Sequence, residues 1–252
     1  MSKKLHLVSL GCDKNLSDSE KMLRMAADRG YELTDEPSEA DVILVNTCAF
    51  ILDAQDESVQ TILEMAEAKK QAAQLIVAGC LAERYKDEIK KEIPEVTRVI
   101  TNGELQDRLF GEHITDRIVT TGGHFAYLKI AEGCDKMCTY CIIPHLRGHY
   151  RSVPMEDLVK EAEALSEGGV KELILVAQET TVYGTDLYGR NCLAKLLKEL
   201  CKIEGLEWIR VMYLYPNNFT DELIECFATL PKVCKYIDIP IQHTESNILK
   251  LM

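Results

Sequence analysis

Residues 133–141 read Gly-Cys-Asp-Lys-Met-Cys-Thr-Tyr-Cys and place the thiols of Cys134, Cys138 and Cys141 within eight residues. A cubic iron–sulfur cluster takes one thiolate ligand for each of its four irons. Three protein ligands therefore leave one iron open, and an open iron can hold a substrate or a cofactor. Because a centre that only carries electrons does not need an open iron, the C-x3-C-x2-C spacing predicts a reactive iron–sulfur site.

Zinc is the main alternative for these cysteines, because thiolates also bind zinc. Structural zinc sites need four ligands, usually in two paired arms, and His145 is the only nearby fourth candidate. A low-potential ferredoxin needs four local cysteines, commonly spaced C-x2-C-x2-C-x3-C-P. Neither pattern is present, which favours the open iron–sulfur site.

The first half of the chain predicts a parallel sheet with three cysteines at one edge. Apolar runs at 5–10, 41–48 and 75–80, with a short one at 99–100, alternate with helical patterns. This alternation is typical of an α/β fold. Cys12, Cys48 and Cys80 each end a different strand, and ligands bind at that edge of open parallel sheets. We expect the three to converge, although unrelated buried cysteines would give the same pattern.

The helices of this half have recognisable ends. Ser17-Asp18-Ser19-Glu20 has the S-x-x-E form of a capping box and predicts a helix that begins at about Ser17. Further helices are predicted at 53–72 and 83–91. A connector at 113–123 then separates a domain at 1–112 from a second domain at 124–252.

The second domain alternates strands and helices again. Strands are predicted at 125–130, 172–177, 208–213 and 236–241, with helices from Pro154, near Leu193, and at 221–230, where Ile224 is expected to face inward. The order is that of a (β/α) barrel or a doubly wound sheet. The barrel is incomplete, because too few residues follow the fourth strand to close it. We therefore expect the natural chain to be longer.

Composition narrows the function classes. The chain has ten cysteines, no signal peptide and no apolar run long enough to cross a membrane, so we expect a reducing, cytoplasmic location. Its net charge is -12, whereas proteins that grip nucleic acid are usually basic. The charge favours a basic partner, and nucleic acid is not required.

The cysteine stretch, which follows a strand and has Tyr140 before its last cysteine, resembles the radical S-adenosylmethionine (SAM) superfamily. Three upstream segments narrow the resemblance to the methylthiotransferases, whose N-terminal domain carries similar sequences: Gly11-Cys12-Asp13-Lys14-Asn15, Asn46-Thr47-Cys48 and Ala78-Gly79-Cys80. The similarity covers the whole chain. It implies an N-terminal methylthiotransferase domain followed by a partial radical SAM barrel. From this resemblance we expect the family's small C-terminal β-barrel, the TRAM domain, to be missing from the given sequence.

Within the family, the chain is more similar to the branch that modifies an aspartate of small-subunit ribosomal protein twelve than to the branch that modifies tRNA. The tRNA branch typically has Gln-Met where this chain has Asp13-Lys14. It also usually has Ser after the glutamine that corresponds to Gln242, where this chain has His243. The stretch 129–135 is likewise of the ribosomal-protein type.

The resemblance implies two 4Fe-4S clusters and SAM as cofactors. Cys134, Cys138 and Cys141 would hold the cluster that binds SAM, and Cys12, Cys48 and Cys80 a second cluster that holds the sulfur to be transferred. The predicted SAM contacts precede the last cysteine or follow barrel strands, where active sites lie: Tyr140, Gln178, Glu179 and Gln242. Packing and loop hydrogen bonds are the alternatives for them. No catalytic side chain is assigned.

The resulting hypothesis is a radical SAM aspartate methylthiotransferase, with small-subunit ribosomal protein twelve as substrate. We expect a monomer that receives electrons from a donor such as flavodoxin or ferredoxin. Two alternatives stay open. One is methylthiolation of tRNA adenosine, and the other is a non-catalytic iron–sulfur fragment.

Overall fold

The structure is a computed structural model that describes residues 2–252. It divides into two compact units, one ending at Ile118 and the other beginning at Val119. Within residues 2–252, no helix is both long and apolar enough to cross a membrane.

The first unit is a five-stranded parallel sheet with helices around it. The strand order is β2-β1-β3-β4-β5. All six residues of the central strand are buried, as expected for a parallel strand covered on both faces. The strands are β1 (Lys4–Ser9), β2 (Glu32–Leu33), β3 (Val42–Thr47), β4 (Gln74–Gly79) and β5 (Val96–Thr101). The helices are α1 (Asp13–Asp28), α2 (Leu52–Ala68), α3 (Cys80–Arg84), α4 (Lys86–Glu92) and α5 (Asn102–Gly111).

The predicted helix start at Ser17 is wrong. Helix α1 begins at Asp13, with Cys12 in the position before it, and Ser17 lies buried inside the helix. The Ser17 hydroxyl accepts a hydrogen bond from the Arg117 guanidinium at 2.6 Å. The S-x-x-E pattern therefore marks a buried polar face of the helix. Two smaller differences are that α2 ends at Ala68 and that the helix predicted at 83–91 is interrupted at Tyr85, between α3 and α4.

The second unit contains a three-stranded parallel sheet of order β10-β9-β6 and a short antiparallel pair, β7 with β8. Its strands are β6 (Phe125–Lys129), β7 (Ala131–Glu132), β8 (Arg151–Ser152), β9 (Glu172–Val176) and β10 (Trp208–Val211). Its helices are α6 (Ile143–Arg147), α7 (Met155–Glu167), α8 (Thr185–Tyr188), α9 (Leu193–Leu200), α10 (Asp221–Thr229) and α11 (Ser246–Leu249). Leu128, Leu158, Leu173 and Leu196 lie in its fully buried core.

The fourth strand predicted at 236–241 does not form in the described structure. On the side of β10 away from β9, the described residues form one parallel bridge, between Ile209 and Val233. Pro240 has no amide hydrogen to donate to a ladder, and Ile237 and Ile241 are exposed. Ile224 is also exposed, whereas Leu223, Cys226 and Phe227 form the buried stripe of α10. The stripe has the i, i+3, i+4 spacing of one helix face, and Ile224 lies beside it.

Candidate functional site

In the first unit, three adjacent strands deliver three cysteines to one sheet edge. Cys48 directly follows β3, and Cys80 directly follows β4 as the first residue of α3. Cys12 lies three residues after β1, where α1 begins. The register aligns these ends, because Ser9 lies opposite Asn46 and Thr47 opposite Gly79. The N-terminal end of α1 adds a partial positive charge, which favours anionic ligands such as thiolates.

Gly11 allows the backbone beside Cys12 to touch the Cys48 side chain. Its φ is +85°, and a Cβ at this position would lie 2.5 Å from the Cβ and 2.8 Å from the Sγ of Cys48. Any side chain here would collide with that thiol. The absence of a side chain thus lets the residue before Cys12 pack against the Cys48 side chain.

Polar side chains fix the backbone below these thiols. The Asn15 amide donates to the carbonyls of Leu10 and Thr47, both at 2.9 Å. The Asn46 amide donates to the Asn15 carbonyl at 3.1 Å and to the Ser19 hydroxyl at 3.0 Å. These bonds join the segments that lead into Cys12 and Cys48.

Cys48 and Cys80 have their own backbone supports. The Ser58 hydroxyl of α2 accepts from the Cys48 amide at 3.1 Å and donates to the Cys48 carbonyl at 2.8 Å. The Thr47 hydroxyl donates to the Ala78 carbonyl at 2.5 Å and accepts from the Leu81 amide at 3.2 Å. Both cysteines are buried, and their main chain is held on both sides.

The donor chemistry of this edge fits an iron–sulfur cluster. It offers three thiols, and all ten cysteines of the chain are free of disulfides. Across residues 2–252, no three His, Cys, Asp or Glu side chains gather closely enough to hold a single metal ion. The thiolates of a cubic cluster bind separate irons and therefore lie further apart than the ligands of one ion.

In the second unit, Cys134, Cys138 and Cys141 lie on a loop whose base is closed by the β7–β8 pair. Glu132 pairs with Arg151 across it, and the Cys134 amide donates to the Gly148 carbonyl at 3.0 Å. A Cβ on Gly133, whose φ is +80°, would overlap the His149 carbonyl. We call residues 133–150 the cysteine loop.

All three loop thiols are partly accessible. The Cys141 amide donates to the Cys138 carbonyl at 3.0 Å, which makes a tight turn between these two cysteines. Burial raises the pKa of the Cys134 thiol, and this outweighs the lowering effect of a backbone hydrogen bond from Lys136. The Cys134 thiol therefore favours its neutral form, and a metal cation coordinated by it would favour the thiolate.

Glu132, which the sequence analysis did not single out, centres a buried ion network at the entry to the loop. Its carboxylate lies 2.9 Å from the Lys129 Nζ and 3.3 Å from the Arg147 Nη1, and it accepts from the Gln178 amide at 3.0 Å. Burial opposes ionisation, but the two cations prevail and hold the pKa of Glu132 at about 2. The sequence pattern that could have revealed this network is the K-x-x-E spacing of Lys129 and Glu132, immediately before Cys134.

A second network holds the interior of the loop. The Lys136 Nζ lies 2.6 Å from the Glu179 Oε2 and sits over the Tyr215 ring, 2.9 Å from its centroid. The other Glu179 oxygen accepts from the Thr181 hydroxyl at 2.6 Å and from the Asn218 amide at 2.5 Å. The buried Glu179 is thus tied to the cysteine loop and to the segment after β10.

The structure places the four predicted SAM contacts in different environments. Gln178 and Glu179 follow β9, as predicted, and both contact the cysteine loop or its base. Tyr140 lies within the loop and is largely exposed. Gln242 has a φ of +62° and lies on an exposed segment instead of following a strand, because the strand predicted before it is not formed.

Two family descriptions match the chain. Residues 128–252 match the Radical SAM superfamily, and residues 4–101 match the uncharacterized protein family UPF0004. The two matches together span both units.

Several curated proteins named ribosomal protein uS12 methylthiotransferase RimO are similar to this chain. The protein from Lachnoclostridium phytofermentans is 56% identical over 99% of this chain and 62% of its own length. The protein from Acetivibrio thermocellus is 50% identical over 100% of the chain and 62% of its own length. The protein from Clostridioides difficile is 48% identical over 99% of the chain and 61% of its own length. This chain therefore spans about three fifths of the length of these relatives.

Solved structures share the fold at low sequence identity. The radical SAM methyltransferase TsrM from Kitasatospora setae, with cobalamin and a [4Fe-4S] cluster bound, superposes with a TM-score of 0.64 at 14% identity, covering 99% of this chain and 62% of its own. The cobalamin-dependent SAM radical enzyme OxsB superposes with a TM-score of 0.58 at 14% identity, covering 99% of this chain and 45% of its own. The predicted fold class, a parallel-sheet α/β domain followed by a radical SAM domain, is confirmed.

Proposed function

Because the chain belongs to the radical SAM methylthiotransferase family and is of the RimO type, we propose that the whole protein transfers a methylthio group to the β-carbon of an aspartate in ribosomal protein uS12. The curated relatives that carry this name support the proposal. One observation carries it, namely the delivery of Cys12, Cys48 and Cys80 to one edge by β1, β3 and β4. A radical SAM enzyme that only cleaves SAM has no need of a second set of thiols.

Two cysteine sets would hold two 4Fe-4S clusters, one on the cysteine loop and one at the sheet edge of the first unit. When bound, these clusters supply the electron that cleaves SAM and the site that holds the sulfur to be transferred. The chain's own residues preorganise both places. Gly11, Asn15 and Ser58 fix the sheet-edge thiols, while Glu132 and Lys136 fix the loop.

We propose that Tyr140, Gln178, Glu179 and Gln242 contact SAM. The strongest support is at Gln178, whose side-chain oxygen is buried without a hydrogen-bond partner among residues 2–252. An unpaired buried oxygen is costly, and an amino group of a ligand would satisfy it. The neighbouring Glu179 carboxylate already holds an ammonium group, that of Lys136, so this position suits a cation.

Charge and redox chemistry support the proposed partner and location. The net charge of -12 suits a basic protein substrate such as a ribosomal protein. We propose a monomer that acts in the reducing cytoplasm, where ten free thiols are stable. An electron donor such as flavodoxin or ferredoxin would serve the loop cluster.

The test uses the full-length protein, reconstituted anaerobically with iron and sulfide and supplied with SAM and a reductant. We expect about eight irons per chain, formation of 5′-deoxyadenosine, and a methylthio group on one aspartate of uS12, detected by mass spectrometry. The Cys48→Ala variant should retain about four irons and lose methylthio transfer. Transfer to tRNA alone would contradict the proposed substrate, and an absence of 5′-deoxyadenosine would support a non-catalytic protein.

A further inference from the structure

Helix α2 and the segment before it expose an unusual amount of apolar surface. Only Ser58 and Ile62 of the seventeen helix residues are buried. Five large apolar side chains nearby are between 41% and 74% exposed: Phe50, Ile51, Leu52, Val59 and Leu63. Leu52, Val59 and Leu63 are spaced i, i+7 and i+11, so they lie on one face of the helix. An apolar stripe of this kind marks an interaction surface.

The same helix is strongly acidic. It carries five carboxylates and no lysine or arginine: Asp53, Asp56, Glu57, Glu64 and Glu67. Of these, Asp53, Asp56, Glu57 and Glu67 make no hydrogen bond or ion pair in the described part of the chain. Five carboxylates in seventeen residues account for a large share of the net charge of -12. An apolar stripe beside unpaired carboxylates is complementary to a segment with apolar and basic side chains.

This surface is rigidly connected to a candidate cluster ligand. Ser58, on the buried side of α2, bonds both the amide and the carbonyl of Cys48. Phe50 and Ile51 lie between Cys48 and the first residue of α2, so the apolar surface continues to the cysteine. A segment bound along α2 would therefore end beside Cys48.

We propose that the α2 face, formed by Phe50–Leu52 and the exposed side of α2, docks a basic segment of the protein substrate and leads it to Cys48. The proposal rests on the proposed function, because it takes the basic partner to be uS12. The apolar stripe supplies the buried contact, and the carboxylates supply orientation and a fast, salt-sensitive association.

The test measures the affinity of the full-length protein for purified uS12 at low and at high salt. The triple variant Asp53→Asn, Asp56→Asn, Glu57→Gln should bind about tenfold more weakly at low salt and show a smaller salt dependence, because rim charges act through screened attraction. The double variant Leu52→Ser, Val59→Ser should weaken binding at both salt concentrations. A control removes three exposed carboxylates from the second unit (Glu163→Gln, Glu167→Gln, Glu204→Gln) and should bind like the unmodified protein.

The outcomes separate this proposal from the proposed function. If uS12 is methylthiolated but neither α2 variant changes its affinity, the docking proposal is overturned and the function stands. If both variants weaken binding while tRNA is the only product, the surface is a docking site and the proposed reaction is wrong. The docking proposal also fails if the α2 variants change the oligomeric state instead, or if α2 is already protected from hydroxyl-radical footprinting in the full-length protein without uS12.

Discussion

The Lys136 ammonium group lies 2.6 Å from the Glu179 carboxylate, and this ion pair fastens the cysteine loop to the residues that follow β9. Lys136 stands between the first two cysteines of the loop, while Glu179 is buried and also held by Thr181 and Asn218. Gln178, the residue before it, binds Glu132 at the entry to the loop. Two consecutive side chains after β9 therefore contact both the base and the interior of the cysteine loop.

Loss of the Lys136 charge should loosen the loop before any cluster is bound. The Lys136→Met variant removes an ion pair worth about 1 kcal/mol at this partly exposed position, which corresponds to about fivefold more frequent local opening. Chymotrypsin cleavage after Tyr140 in the iron-free protein should become faster by about that factor. The Lys136→Arg variant, which keeps the charge, should resist cleavage like the unmodified protein. Equal cleavage of all three would show that the pair does not hold the loop.

A methyl group at Gly11 should displace the Cys48 thiol. The Gly11→Ala variant places a Cβ 2.5 Å from the Cys48 Cβ, so we expect the protein to retain about four irons instead of about eight. Gly30 is the matched control, because its φ of +82° carries the same backbone cost but no atom lies within 4 Å of an added Cβ. Gly30→Ala should lose about 1 kcal/mol of stability and keep its iron. Equal iron loss in both variants would attribute the effect to backbone strain.

Removal of the Glu132 charge should destabilise the second unit. The Glu132→Gln variant removes the buried carboxylate that pairs with Lys129 and Arg147, and breaking a buried ion pair typically costs about 3–5 kcal/mol. Urea unfolding of the iron-free protein measures the loss. Glu172→Gln breaks the more exposed Glu172–Arg210 pair, joined at 2.6 Å, and should cost at most about 1 kcal/mol. Similar losses in the two variants would contradict a special role for the Glu132 network.

The Ser58 hydroxyl should be needed to hold the main chain of Cys48. The Ser58→Ala variant leaves the Cys48 amide and carbonyl without their hydroxyl partner, at a cost of about 1–3 kcal/mol. Alkylation of Cys48, followed by peptide mass spectrometry, should become faster. Thr61→Ala on the same helix is the control, because the Thr61 hydroxyl makes no hydrogen bond in the described structure, and it should leave the Cys48 rate unchanged. An unchanged rate of Cys48 alkylation in Ser58→Ala would show that Ser58 does not hold the Cys48 main chain.

Sequence reasoning located the strands and the cysteines because both depend on local pattern. The runs that became β1, β3 and β4 are short, apolar and bounded by helical segments, and parallel topology alone sends their carboxyl ends to one edge. The cysteine positions at that edge needed no knowledge of tertiary contacts. The same S/T-x-x-E pattern occurs at Thr101–Glu104. There it forms a true capping box and marks the start of α5, a helix that the sequence analysis did not predict.

What the sequence did not disclose depends on distant partners. Ser17 and Glu20 look like a capping box, but Arg117, about a hundred residues away, bonds Ser17 and lies 3.5 Å from the Glu20 carboxylate. No local window contains that partner. The strand predicted at 236–241 failed for a related reason, because strand propensity is realised only where a neighbour completes the ladder. Residues 236–241 are joined to the sheet region mainly through hydrogen bonds from Leu214 and Tyr213 to Asp238.

The sheet order β2-β1-β3-β4-β5 has a consequence for the time at which each thiol set becomes usable. Cys134, Cys138 and Cys141 lie within eight residues, so a nascent or unfolded chain already presents them together. Cys12, Cys48 and Cys80 meet only after two parallel crossovers have formed, and such non-local pairings are slow steps in folding. Iron added to the unfolded chain during refolding would therefore meet the loop thiols first. The sheet-edge site can take up iron only after the first unit has folded. Folding defects in that unit should therefore yield a protein with iron at the cysteine loop alone.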